Sequence, residues 1–215
     1  MKKTSLYYID HLIERYPKLN EIKINIIQAV DTLSNTIAKG GKLLICGNGG
    51  SAADSDHIVG ELMKGFILKR KLDYSLESSL YNEFPESADY LISNLQLAIP
   101  AISLTNHTAL TSAFSNDRAS DLIFAQQVLG YGNDIDTLLA ISTSGNSKNI
   151  IYASQIAHVK GLKVISLTGQ TGGQLKKYSD VLLNVPELET YKVQELHLPI
   201  YHAICLALES EFFGE

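Results

Sequence analysis

A chain of 215 residues can bury one substantial core, and 45% hydrophobic with 19% charged residues excludes disordered and collagen-like classes. A formal net charge of −5 supplies no global positive field to draw in nucleic acid or an anionic membrane, although a local site could still hold a small phosphate. Asp10, His11, Glu14 and Arg15 interrupt the N-terminal segment before a long apolar stretch can form, so neither a signal peptide nor a transmembrane helix is expected. The two cysteines, Cys46 and Cys205, show no metal or redox spacing and fit small buried hydrophobes in a reducing, cytoplasmic setting.

In chain order, Leu6, Ile9, Leu12 and Ile13, then Ile22, Ile26, Ile27, Val30, Leu33 and Ile37, follow a 3.6-residue period. They predict two amphipathic helices within residues 1–40, broken near Pro17. With no obvious strand of their own to cover, these helices are expected between subunits. From residue 42 the pattern changes to short apolar runs at 42–46, 98–105, 136–143, 162–168 and 180–185, read as strands buried on both faces. Helices are expected near 51–65, 108–116, 119–130, 147–160, 172–177 and 191–213. The alternation predicts a single α/β domain, a doubly wound parallel five-stranded sheet flanked by helices. Residues 67–97 follow neither period and read as an insertion: a partly helical excursion over an edge or subunit contact, or a substrate lid. No internal repeat is evident.

Two loops stand where such sheets bind ligands, beyond the carboxyl ends of strands. The first is Gly47-Asn48-Gly49-Gly50-Ser51, where glycine allows positive φ and close backbone approach. The second, Ser142-Thr143-Ser144-Gly145-Asn146-Ser147, offers hydroxyls beside the unpaired N–H groups of a helix start, enough to hold a phosphate monoester without a cation. The competing reading of the serine loop is an ordinary capped turn. Neither loop ends in the Gly-Lys-Ser/Thr of a nucleoside triphosphate site, and GNGGSA lacks the third glycine of the dinucleotide pattern.

The stretches CGNGGSAADSDHIVGEL, SND at 115–117, ISTSGNSKNI, VISLTGQTGG and VQELHLPIYH, in that order, resemble the sugar isomerase (SIS) fold and within it the phosphoheptose isomerase family. The resemblance spans about residues 20–213, interrupted by 67–97. It implies a flavodoxin-like three-layer sandwich and a homotetramer whose active sites draw on neighbouring subunits. It also implies a sugar phosphate held by Ser142, Thr143, Ser144 and Ser147, with Asn48, Gly49, Gly50, Ser51, Asn116, Asp117 and Gln194 on the substrate side. In that family the positions matching His57, Glu61, Gln194 and His202 bind Zn2+ and line the reacting carbons.

Aldose–ketose isomerisation moves a proton between adjacent carbons through an enediolate, which needs a base, a second acid/base and oxyanion stabilisation. Glu61 is assigned as the base and His202 as its partner; zinc would act as a Lewis acid. His57 and Glu61, at i and i+4, share one helix face. A zinc-bound Glu61 would be a weaker base, so one of its two roles is secondary or it leaves the metal during turnover. His11, His107, His158 and His197 are read as satisfied core or surface residues. The resulting expectation is conversion of D-sedoheptulose 7-phosphate to D-glycero-D-manno-heptose 7-phosphate. The alternatives are a non-catalytic SIS protein that senses phosphosugars or aids assembly, and an isomerase of another ketose phosphate.

Overall fold

The computed structural model describes residues 1–214. The helices are α1 (Lys3–Arg15), α2 (Lys23–Ala38), α3 (Gly50–Met63), α4 (Tyr74–Glu83), α5 (Pro85–Asn94), α6 (Thr108–Asp117), α7 (Ile123–Tyr131), α8 (Lys148–Val159) and α9 (Thr190–Phe213). The five apolar runs become β1 (Leu43–Cys46), β2 (Ala101–Ser103), β3 (Thr137–Ser142), β4 (Lys163–Thr168) and β5 (Val181–Asn184). All pairings are parallel, in the order β2-β1-β3-β4-β5, with Leu43 opposite both Ala101 and Thr137. The strand order reverses between β1 and β3, which makes the crevice above their carboxyl ends the place for a ligand.

Alternation along the strands sorts the core into two layers. Leu43, Ile45, Leu139, Ile141, Ile165 and Leu167 face one cluster, while Leu44, Cys46, Leu138, Ala140 and Val164 face the other. The first is covered by α1, α2, α3 and α9, the second chiefly by α7 and α8. The N-terminal helices therefore have a surface within their own chain, which corrects the premise that they lack one: Ile9, Leu12, Ile26, Val30 and Leu33 are all buried there. Each such side chain contributes about 1.5–3 kcal/mol when fully buried.

Residues 67–97 hold two helices that period-based reading could not place. Asp73 starts α4 by accepting from the Leu76 amide, and Pro85 opens α5 at the position where its missing N–H costs nothing. The strand expected at 98–105 shrinks to three residues, and the helix expected at 172–177 is only a 3₁₀ turn at Leu175–Lys177. Positive φ at Gly172 and Gly173 prevents that turn from starting earlier. No helix among the described residues is long and apolar enough to cross a membrane. Cys46 and Cys205 are free and buried, and burial pushes both thiols up.

Candidate active site

The glycine-rich loop leaves β1 and enters α3 through Gly49, whose φ of 56° and ψ of −120° suit glycine alone. Its neighbours need glycine for lack of room. A Cβ on Gly47 would lie 2.3 Å from the Ser51 carbonyl oxygen, and one on Gly50 would lie 2.5 Å from the Gln194 amide nitrogen. Gln194, in the first turns of α9, thus rests on the start of α3. Ser51 is buried, whereas Asn48 is exposed and pairs reciprocally with the Asn149 amide at 2.9 Å, tying the first loop to the first turn of α8.

The serine loop decides between its two readings by where its hydroxyls go. Ser147 occupies the N-cap of α8, yet its side chain makes no cap bond; its Oγ lies 3.1 Å from Ser142 Oγ. No side chain caps α3 either. Two uncapped helix N-termini therefore meet at the crevice, each with unpaired N–H groups that favour an anion. Gly145 turns the loop at φ 65° under the Gly172 carbonyl, and the Leu175 amide donates to the Gly145 carbonyl oxygen. The TGQTGG stretch is thereby a buttress for the serine loop, a role the sequence signalled only by its glycines. Thr143 is half-buried and Ser144 exposed, so both remain accessible to a ligand.

Farther along α3, Asp54, His57 and Glu61 fall on one face by their i, i+3, i+7 spacing. His57 Nε2 lies 3.2 Å from Glu61 Oε1 and 3.5 Å from His202 Nε2, so Glu61 and His202 meet at one imidazole nitrogen within a single subunit. Lys64 Nζ donates to the other Glu61 oxygen at 3.2 Å. Tyr201 and Asp54, both overlooked in the sequence, stand behind His57. The Tyr201 hydroxyl donates to Asp54 Oδ1 at 3.2 Å and is 3.0 Å from His57 Nδ1. With the Tyr201 hydroxyl proton directed at Asp54, His57 Nδ1–H donates to the Tyr201 oxygen and Nε2 turns a lone pair toward Glu61 and His202. Burial raises the Asp54 carboxyl and the Tyr201 hydroxyl. Burial, with His57 adding to it, lowers His202 from its ordinary value and keeps it neutral near pH 7. Asp54, one turn before His57, shares its face by the same helical periodicity.

Zinc takes nitrogen and oxygen donors. His57, Glu61 and His202 fit it in donor type and neighbourhood, and a lone pair of His57 facing a carboxylate is a place where a proton or a cation settles the repulsion. Among the described residues, however, no three His, Cys, Asp or Glu side chains stand as a ready-made metal cluster, and the Gln194 amide lies over Gly50 instead. Asn116 and Asp117 are not brought to this crevice by any hydrogen bond among the described residues. They are exposed at the far end of α6, where the Asn116 amide donates to Asp117 at 2.9 Å.

The chain is similar to known proteins over most of its length. The SIS domain family matches residues 7–89 and 83–169. The phosphoheptose isomerase of Burkholderia pseudomallei (strain K96243) is 36% identical over 188 residues, covering 87% of this chain and 82% of the relative. Among solved structures, phosphoheptose isomerase GmhA from Neisseria gonorrhoeae superposes with a TM-score of 0.73 at 31% identity, covering 95% of this chain and 96% of its own. A phosphoheptose isomerase from Francisella tularensis gives 0.75 at 31% identity, covering 95% of both.

Proposed function

This chain belongs to the phosphoheptose isomerase family of SIS-domain proteins, and on that footing we propose that it interconverts D-sedoheptulose 7-phosphate and D-glycero-D-manno-heptose 7-phosphate. The observation that carries the reading is the pairing of two features on one helix. The uncapped N-terminus of α3 meets the serine loop, and the His57–Glu61–His202 group lies two turns and more along the same helix. From Gly50 to His57 the helix advances about 10 Å, the scale of an extended sugar whose phosphate and reacting carbons lie at opposite ends. Neutral donors at Ser142, Thr143, Ser144 and Ser147, with the amides of Gly49 and Gly50, hold the phosphate, while the Ser51 amide is taken by the Asn48 carbonyl oxygen, so an acidic protein needs no basic patch to bind it. Asn48 and Gln194 border the sugar between the two ends.

In this reading the Glu61 carboxylate takes a proton from C1 of the ketose and the electron pair moves into an enediolate with its charge on O2. The proton is returned to C2, while His202, neutral and close by, carries the hydroxyl proton from O1 to O2; atoms balance without a co-reactant. Tyr201, itself bonded to Asp54, holds the His57 ring in place. Zinc held by His57, Glu61 and His202 would polarise the substrate oxygens as a Lewis acid when bound, whereas Gln194, seated over Gly50, would have to move to join them. A homotetramer in the cytoplasm, with no nucleic-acid or membrane partner, completes the proposal. Its support is the position of Asn116 and Asp117, exposed and turned to each other, where a neighbouring subunit's site could use them.

Replacing Glu61 by Gln removes only the base. Turnover of sedoheptulose 7-phosphate should fall on the order of 10²–10⁴-fold, with calorimetric binding of the sugar phosphate retained. A variant that still turns over like the wild type would remove Glu61 from the mechanism. In deuterated water, product carrying solvent deuterium at C2 supports the enediolate; product with none argues for direct transfer. Elemental analysis of purified wild type against His57→Ala tests zinc, the expected result being metal in the first and its loss in the second.

A further inference from the structure

Two charged side chains far from the phosphate loops are sealed inside the protein. Arg70 and Glu209 are both fully buried, with Arg70 Nε donating to Glu209 Oε1 at 2.9 Å. Burying two ions is costly unless every remaining donor and acceptor is served, and here the partners are specific. The Glu209 carboxylate also accepts three consecutive backbone amides, those of Phe66, Ile67 and Leu68, at 2.7, 3.0 and 3.2 Å. The Arg70 guanidinium donates to the Leu62 carbonyl oxygen at 2.6 Å and to the Glu61 carbonyl oxygen at 3.2 Å, and lies 4.7 Å from the Phe213 ring centroid.

Those two carbonyls belong to the last turn of α3, where orphan acceptors need partners and a cation is favoured. Glu209 sits on α9 seven residues after His202, two turns on and nearly at the same azimuth. The pair therefore joins the end of α3, at the very residue that carries one reacting side chain, to the face of α9 that carries the other. Resting on the isomerase reading above, we propose that Arg70 and Glu209 are a positioning pair, which sets the register of Glu61 against His202 without touching the sugar. A buried ion pair is weak evidence for stability, since apolar replacements are often neutral, whereas fork geometry and a three-amide clamp fix direction. The phosphate end of the site lies at the opposite end of α3 and is outside the pair's reach.

Wild type, Arg70→Lys and Glu209→Gln are assayed on sedoheptulose 7-phosphate, with melting temperature and far-UV circular dichroism recorded for each. Lysine keeps the charge but cannot fork; glutamine keeps the shape but cannot neutralise the guanidinium. In folded variants kcat should drop on the order of 10- to 100-fold, because a small displacement of reacting groups is costly, while KM stays within about threefold. Folded variants with wild-type kcat, or with the loss carried by KM, would overturn the pairing. If neither variant folds, Phe213→Leu decides on the same two criteria, since it removes the ring from the guanidinium and leaves the ion pair: kcat reduced by about twofold or more at constant KM supports the proposal, and unchanged kcat overturns it. A wild-type protein inactive on every ketose phosphate tried would instead remove the isomerase reading itself.

Discussion

His197 shows how a single buried side chain sets a pH limit. It is fully buried on α9, and among the described residues neither ring nitrogen has a hydrogen-bond partner, so it is not the satisfied core histidine that its apolar surroundings suggest. Burial pulls its pKa down to about 4, and the nearby Thr168 backbone offsets that only in part, without reaching hydrogen-bond geometry. The unfolded chain takes up the proton near pH 6.5 while the folded chain refuses it until about pH 4. Stability is therefore complete above pH 6.5, declines as the pH falls through that interval, and levels off below it, by up to about 3 kcal/mol. Urea denaturation at pH 6.5, 5.5 and 4.5 should show a steeper loss for wild type than for His197→Phe. Equal slopes would mean another group is responsible. Of six histidines, spacing alone selected none; resemblance picked out His57 and His202, and only coordinates distinguished His197.

At the scale of elements, a loop glycine and a helix glycine differ in what they are there for, and the difference is measurable. Gly145 combines a φ of 65° with a neighbour, the Gly172 carbonyl oxygen, that would stand 2.2 Å from an added Cβ. Gly145→Ala should lose on the order of 1–3 kcal/mol and raise KM for the sugar phosphate more than it lowers kcat, because the serine loop must shift. Gly60, in the interior of α3, has nothing within 4 Å of an added Cβ. Gly60→Ala should gain about 0.5–1 kcal/mol and leave both constants unchanged. Thermal denaturation and steady-state kinetics on the two variants check both statements; a Gly145→Ala enzyme with wild-type KM would detach the serine loop from phosphate binding. The strands were legible as continuous Val, Ile and Leu runs, although only β1, β3 and β4 are buried on both faces; the edge strands β2 and β5 leave Ile102, Leu182 and Asn184 half-buried. The helices at 74–94 were not, because Tyr74, Leu76, Tyr81, Phe84 and Tyr90 are exposed and carry no core-facing period. Arg70 was hidden for the opposite reason: inside LKRK it reads as one of several solvated cations, and only tertiary packing selects it for burial.

At the scale of the whole molecule, the residues of the crevice divide into those one subunit assembles and those it leaves apart. Glu61, His57 and His202 assemble within one subunit, and Asn48 of the glycine-rich loop ties it to Asn149 in the first turn of α8. Asn116 and Asp117 do not join them, since a ten-residue helix carries them away from the carboxyl end of β2. At the same time the α4–α5 hairpin presents Tyr74 and Tyr90 at 85% and 73% exposure, an apolar load that a solitary subunit has no reason to leave in water. A symmetric assembly accounts for both facts if one subunit's α6 or hairpin lies near another's crevice. Light scattering behind size exclusion should then give four times the subunit mass. Asn116→Ala should depress activity, and mixing it with an inactive Glu61→Gln protein under conditions that exchange subunits should restore part of it, because hybrids pair an intact α6 with an intact centre. A fully active monomer, or mixtures no more active than the sum of their parts, would place every working residue in one chain.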